Sequence, residues 1–182
     1  TMIEQIVLET EGFRFSFNAD YKLTDFVGHG WVESDEHYLP MIATFELLPP
    51  LPELVVHSER TSISASDFRD LIAYFEQHME KLRETNGNTV SNAFVNKELG
   101  FQIQAFEGNV EPPMDDMFSI SCQVIVGKTE EGHRVYVGGE CGVTFEQVRT
   151  FLRDSQAFLG ELPTLPGHNT LLERPTADKE QE

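Results

Sequence analysis

The chain has 182 residues, of which 40% are hydrophobic and 14 are phenylalanine. This length and composition predict one globular domain with its own apolar core, and they exclude a chain that is disordered throughout. The charge is unusual, because 31 acidic residues against 13 basic ones give a formal net charge of −18. Such a surface repels nucleic acid and anionic membranes and attracts basic proteins.

The distribution of charge and cysteine bears on where the protein works. Acidic residues outnumber basic residues in every third of the chain, so we expect the folded surface itself to be negative. No apolar run approaches the roughly 20 residues of a membrane helix, and the opening TMIEQIVLET does not resemble a signal peptide. The two cysteines favour a reducing compartment over a disulfide framework. We therefore expect a cytoplasmic protein that binds no membrane.

The first third of the chain is predicted to form two pairs of strands. Phe13, Phe15 and Phe17 alternate with polar residues, which places them on one face of a sheet. Residues 38–48 and 53–63 have the pattern of a second strand pair, separated by prolines that end both strands. The segment GHGWVESDEH lies between the two pairs and is predicted to be a loop.

Two amphipathic helices are predicted, at about 66–85 and 145–159. The first follows the candidate caps Ser64 and Ser66 and ends at Asn86–Gly87. The second begins after Thr144, which has capping-box spacing with Gln147, and is expected to end at Gly160. Its predicted inner face consists of Val148, Phe151, Leu152, Ser155 and Leu159.

Between the two predicted helices, apolar and polar residues alternate again, as they do in a β-strand. Phe101, Ile103 and Ala105 predict a half-buried strand, and the segment GNVEPPMDD predicts a loop after it. A hairpin follows, and its predicted core-facing residues are Phe118, Ile120, Cys122, Val124 and Val126. The expected fold is thus α+β, with antiparallel sheets and the two helices packed on one side. We expect residues 1–160 to form the domain and 161–182 to be a proline-containing extension with a disordered end.

The sequence contains none of the common motifs for catalysis or cofactor binding, such as GxSxG, GxGxxG, HExxH or a phosphate-binding loop. The six histidines show no pair at the i, i+4 spacing of metal ligands. Adjacent carboxylates such as Glu130 and Glu131 are typical of solvated turns. We therefore predict no catalytic residue, no cofactor and no metal.

Two acidic loops are the candidate partner-binding sites. The first contains Trp31, the only tryptophan, followed by Glu33, Asp35 and Glu36. An aromatic side chain beside charges is typical of a binding hot spot, where the aromatic supplies buried area and the charges steer the encounter. The second is the segment EPPMDD with Glu111, Asp115 and Asp116, in which prolines lower the entropic cost of binding.

A third acidic feature allows two interpretations. Glu76, Glu80 and Glu84 lie at i, i+4, i+8 on the first helix, where like charges repel one another. If the helices are neighbours, Arg149 and Arg153 of the second helix are expected to neutralise this stripe. If they are not, the stripe is a docking face. We favour neutralisation.

The order of elements carries a family resemblance. A strand-rich opening is followed by the helix SASDFRDLIAYFEQHMEKL, the strand ELGFQIQAF, the hairpin SISCQVIVGKTEEGHRVYVGG and the closing helix VTFEQVRTFLRDSQAFL. Over roughly residues 3–160 this order resembles that of small bacterial immunity proteins, particularly those encoded beside cell-wall-associated and contact-dependent toxins. The resemblance implies a cytoplasmic protein that binds and blocks a toxin, often a basic nuclease.

The function expected from the sequence is therefore non-enzymatic binding of a basic protein, such as a toxin, through an acidic face. Two alternatives remain open. One is a small-ligand-binding or acid–base enzyme domain that uses a cleft between the sheets. The other is a structural or adaptor domain that associates with its own kind.

Overall fold

The computed structural model describes residues 5–19, 38–59 and 61–161. Within these residues the chain forms nine strands and two helices, and the α+β class predicted from the sequence is confirmed. The strands are β1 Gln5–Glu9, β2 Phe13–Ala19, β3 Tyr38–Leu47, β4 Val55–His57, β5 Thr61–Ser64, β6 Phe94–Asn96, β7 Phe101–Asn109, β8 Met117–Lys128 and β9 Arg134–Thr144. The helices are α1 Ala65–Glu84 and α2 Phe145–Glu161.

The strands form two antiparallel sheets, each followed in the chain by a helix. In the first sheet β1, β2 and β3 are neighbours, and β4 and β5 share the other edge of β3. In the second sheet β6, β7, β8 and β9 lie in chain order. The single strand predicted over 53–63 is thus two short strands. They are separated at Ser58, whose hydroxyl accepts a hydrogen bond from Ala43 N at 2.9 Å and interrupts the regular ladder.

Phenylalanine dominates the core that joins the two sheets and the two helices. Phe17 on β2 lies at its centre, and its ring centroid is 5.0 Å from Phe101 on β7 and 5.6 Å from Phe68 on α1. Phe151 on α2 lies 6.3 Å from the same ring. The predicted inward face of Phe13, Phe15 and Phe17 is confirmed, because all three are at most 2% exposed. One ring therefore contacts both sheets and both helices.

The helices begin where the capping signals predict. The Ser64 hydroxyl accepts a hydrogen bond from Asp67 N at 3.0 Å, which identifies Ser64 as the cap of α1. At α2 the capping box is reciprocal: Gln147 N donates to the Thr144 hydroxyl at 3.1 Å, and Thr144 N donates to the Gln147 side chain at 2.9 Å. These local bonds satisfy backbone groups that the helix itself cannot satisfy.

The end of α1 is fixed against the second sheet by a glycine. Gly87 has φ +86°, a left-handed conformation that favours glycine. Its carbonyl accepts a hydrogen bond from Gly108 N on β7 at 3.0 Å, and a Cβ at Gly87 would lie 2.2 Å from the Gly108 carbonyl oxygen. The close approach needs glycine at residue 87, and it brings the end of α1 to the end of β7.

One expectation for the core was wrong and another was incomplete. Val126 is 45% exposed, because the register shifts between Ile125 and Gly127 and places Val126 at a bulge near the hairpin turn. On α2, Leu159 packs against the core as predicted but is only partly buried, and the inner face also includes the fully buried Phe158, which the prediction left out. The helix continues through Gly160 to Glu161. Neither difference is visible in the sequence pattern, since both depend on the elements packed opposite.

One histidine is wholly buried in this core. Nε2 of His78 on α1 lies 2.9 Å from the Phe106 carbonyl oxygen, and Nδ1 of the same ring lies 2.7 Å from the Ser91 hydroxyl oxygen. Because a carbonyl only accepts, Nε2 carries the proton and Nδ1 accepts from Ser91. Burial lowers the pKa of His78, and the hydrogen bond to Phe106 opposes this effect. His78 therefore links α1 to the second sheet in its neutral form.

Truncation of the central ring tests the shared core. We expect Phe17→Ala to lower the free energy of unfolding by about 3–5 kcal/mol, because it leaves a cavity among four elements. The matched control is Val126→Ala, which removes an exposed side chain and is expected to change the free energy by less than about 0.5 kcal/mol. Urea denaturation measures both. Equal and small changes for the two variants would contradict this description of the core.

The buried histidine predicts a pH dependence of stability. Since the folded pKa of His78 lies below its ordinary value of 6.5, the unfolded chain binds the proton more readily. The stability that neutral His78 contributes is present above about pH 6.5 and is lost as the pH falls through the folded pKa. We expect the stability difference between wild type and His78→Gln to shrink between pH 7.5 and pH 5.5, as measured by urea denaturation. A constant difference would contradict the assignment.

Candidate protein-binding site

The loop 110–116, called here the acidic loop, connects β7 to β8 and contains three of the candidate residues. Its first turn is organised by Asn109. The Asn109 side-chain oxygen accepts a hydrogen bond from Glu111 N at 3.0 Å, and its amide nitrogen lies 3.4 Å from the Met114 sulfur. Both ends of the Asn109 side chain thus hold the loop in one conformation.

Both helices contact the acidic loop. At the end of α1, the Asn86 side chain donates to the Glu111 carboxylate at 2.6 Å, and Arg83 lies 3.3 Å from the Asp116 carboxylate. At the start of α2, Phe145 N donates to the Asp116 carbonyl at 2.9 Å. The loop is therefore tied to the two elements that the phenylalanine core holds together.

The tip of the acidic loop presents an apolar side chain next to a carboxylate. Met114 is 59% exposed, the largest exposed fraction of any large apolar side chain among the described residues. Asp115 beside it is also exposed, and it makes no ion pair within the described part of the chain. An exposed thioether adapts to different surfaces, and an unpaired carboxylate attracts a cation.

A groove of about 500 Å³ separates the tip from the first turn of α2. Its walls are the acidic-loop residues Met114, Asp115 and Asp116, and Thr144, Phe145, Glu146 and Arg149 at the start of α2. Two guanidinium groups lie over the ring of Phe145. Cζ of Arg83 is 5.1 Å from the ring centroid, and Cζ of Arg149 is 5.8 Å from it. The groove is thus acidic on its loop side and contains one arginine on its helix side.

The predicted site residues have different positions in the structure. Glu111, Asp115 and Asp116 lie on one loop, as the sequence indicates, but Glu111 and Asp116 have partners within the chain and Asp115 is the available carboxylate. The other candidates, Trp31, Glu33, Asp35 and Glu36, lie outside the described residues. Their role remains a prediction.

The acidic stripe on α1 is not neutralised as expected. The helices are neighbours, with the Phe75 and Phe151 rings 5.7 Å apart. However, Arg153 pairs with Glu146 of its own helix at 3.6 Å, and Arg149 lies over Phe145. Gln156 donates to Glu76 at 3.3 Å. The preferred interpretation is therefore wrong for these two arginines, and the stripe Glu76, Glu80 and Glu84 is exposed.

Sequence reasoning missed the residues that position the loop. The sequence pattern accounts for Asn86 only as part of the end of the first helix, and it assigns no contact to Arg83. Phe145 stood inside the capping box and was not assigned to a face. The sequence does contain a signal for this pairing, because a cation at the end of a helix and an acidic loop elsewhere in the chain are candidate ion-pair partners. Only the tertiary fold shows which cation and which carboxylate meet.

The groups with shifted pKa values lie in the core and away from the loop. Burial raises the pKa of the Cys122 thiol, and burial also raises the pKa of Tyr74, whose hydroxyl accepts a hydrogen bond from Ala105 N at 2.9 Å. Cys122 lies opposite Gly139 in the ladder, whereas Cys141 lies opposite Ile120.

Among the described residues, no group of three or more His, Cys, Asp or Glu side chains could hold a metal ion. Neither described helix is long and apolar enough to cross a membrane.

The two adjacent aspartates of the loop are expected to differ in their effect on stability. Asp116→Asn should lower the free energy of unfolding by up to about 1 kcal/mol, because it removes the partner of Arg83 at a partly exposed ion pair. Asp115→Asn should change it by less than about 0.5 kcal/mol. Urea denaturation measures both, and 1 M salt should reduce the Asp116 effect by screening. An Asp115 effect as large as that of Asp116 would contradict the assignment of Asp115 as free.

In comparisons with known proteins, no family model, curated protein or solved structure matches the chain. The proposal that follows is therefore based on the charge, the geometry and the chemistry of its own residues.

Proposed function

We propose that the chain is a non-enzymatic binding protein that occupies a basic protein partner in the cytoplasm, as an immunity protein occupies its toxin. The observation that carries the proposal is the tip of the acidic loop. There Met114 and Asp115 are exposed on a loop that is fixed at Asn109, at α1 and at α2, and Asp115 forms no ion pair with another described residue. Little conformational entropy is lost when such a loop binds.

The net charge supports the same partner chemistry. With a charge of −18, the protein attracts basic surfaces from a distance and increases the rate of encounter. Asp115 would then pair with a Lys or Arg of the partner, in the place that a substrate phosphate takes on a basic nuclease. Contact with Met114 would slow dissociation, because it buries apolar area at the centre of the contact.

The loop that contains Trp31, Glu33, Asp35 and Glu36 is proposed as a second part of this surface, on the sequence evidence alone. Its tryptophan would supply the larger aromatic anchor, and its carboxylates would add to the steering charge.

The packed interior disfavours an acid–base enzyme whose chemistry lies between the facing sides of the two sheets, and it does not bear on a small-ligand site at the surface. The enzymatic alternative places the chemistry in a cleft between the two sheets. There the described residues place packed phenylalanine rings instead, with Phe15 and Phe17 of the first sheet 5.9 Å and 5.0 Å from Phe101 of the second.

A capture experiment with a matched pair of charge reversals tests the proposal. The full chain is immobilised and exposed to lysate of its native host at low and moderate salt, and bound proteins are identified by mass spectrometry. We expect one basic protein in stoichiometric amount, lost as the salt rises. Asp115→Lys should reduce its association rate constant by about tenfold, because the loop then repels a basic surface.

The control is Glu130→Lys, which changes the net charge by the same amount at the exposed turn between β8 and β9. It should leave the association rate within about twofold of wild type. Capture of an acidic protein, or equal effects of the two reversals, would contradict the assignment of the acidic loop.

A further inference from the structure

A second groove, of about 360 Å³, collects basic side chains in this acidic protein. It lies where the start of β5, the turn between β6 and β7, and the hairpin of β8 and β9 meet, and it shares no residue with the acidic loop. We call it the basic groove and define it by Lys97, Lys128 and Arg134, and it is also lined by Glu59, Thr61 and Glu98.

The walls of the basic groove are fixed to one another. The Thr61 hydroxyl donates to the Glu98 carbonyl at 2.9 Å, which joins β5 to the turn between β6 and β7. Ile125 N donates to the Gly100 carbonyl at 2.8 Å, which joins the same turn to β8. Gly100 has φ +83°, and a Cβ there would lie 2.0 Å from Cγ2 of Ile125. The three elements therefore hold the groove open in a defined shape.

The placement of its cations is unusual. Lys128 and Arg134 are directly opposite each other in the ladder of β8 and β9, where like charges destabilise a strand pair. Neither they nor Lys97 form an ion pair with any described carboxylate, although Glu59 and Glu98 line the same groove. In a chain with 31 acidic residues and 13 basic ones, three unpaired cations in one groove favour an external anion.

We infer that the basic groove binds a small ligand with two linked phosphate groups. A single phosphate group carries a charge of about −2 at neutral pH, so three cations match a diphosphate better than a monophosphate. Arg134 can bind two phosphate oxygens with its planar guanidinium, while Lys97 and Lys128 act as point charges. The volume of about 360 Å³ lies in the range of small-ligand sites.

The negative charge of the whole protein does not prevent this binding at physiological salt. The Debye length is about 8 Å at 0.15 M ionic strength, so the carboxylates beyond the groove are largely screened. Glu59 and Glu98 line the groove itself and reduce its positive charge, and the three cations outnumber them. The inference goes beyond the proposed function, because it concerns another surface and another class of ligand.

Calorimetric titration of the full chain with inorganic pyrophosphate, ADP and adenosine, in phosphate-free buffer at 0.15 M salt, tests the inference. We expect pyrophosphate and ADP to bind with dissociation constants below 1 mM, and adenosine to show no binding at that concentration. Tighter binding of ADP than of pyrophosphate identifies a nucleotide as the ligand, and equal binding identifies the phosphate groups alone. No heat from either phosphate ligand at millimolar concentration would overturn the inference.

A matched pair of double variants locates the binding. Lys128→Gln with Arg134→Gln removes two cations of the groove and should weaken pyrophosphate binding at least tenfold. Arg69→Gln with Lys81→Gln removes the same charge from α1 and should change it less than twofold. The thermal midpoint of the groove variant should not fall, because a like-charge pair is removed. Equal weakening in the two variants would overturn the inference.

Discussion

The contact of the Phe17 ring with rings from three other elements is the interaction on which the rest of the structure depends. The Phe17 ring contacts Phe101 of the second sheet, Phe68 of α1 and Phe151 of α2. An aromatic pair of this kind contributes roughly 0.5–1.5 kcal/mol beyond the burial of its area, and it also fixes the relative orientation of its elements. The two strand-and-helix units are therefore one packed body and not two modules joined by a linker.

That packing decides where the acidic loop lies. The loop is held by the end of α1 through Arg83 and Asn86, and by the start of α2 through Phe145. Since the core fixes both helices, it also fixes the tip with Met114 and Asp115. The same logic applies to the basic groove, whose three walls come from both sheets. Among the described residues, the ion pair of Arg83 with Asp116 helps to hold the acidic loop, whereas Asp115 and the three cations of the basic groove form no ion pair.

The sequence predicts the parts of this fold that depend on local chemistry. The caps Ser64 and Thr144, the period of two in β2 and the helical stripe of α1 are all confirmed, because each is set by neighbours in the chain. Features that depend on distant partners escaped prediction. The bulge at Val126, the burial of Phe158 and the pairing of Arg83 with Asp116 depend on packing between elements. For the site, the sequence locates the acidic loop but cannot tell that Glu111 and Asp116 are engaged within the chain while Asp115 is not.

Hydrogen exchange on the complex with the captured basic protein locates the binding surface, since it reports which backbone amides a partner covers. The acidic loop has amides at Val110, Glu111, Met114, Asp115 and Asp116, whereas its two prolines have none. We expect exchange at Met114 and Asp115 to slow in the complex, and exchange in the turn at Glu130 and Glu131 to be unchanged. Unchanged exchange at Met114 and Asp115, with slowing confined to other surfaces, would contradict the assignment of the acidic loop.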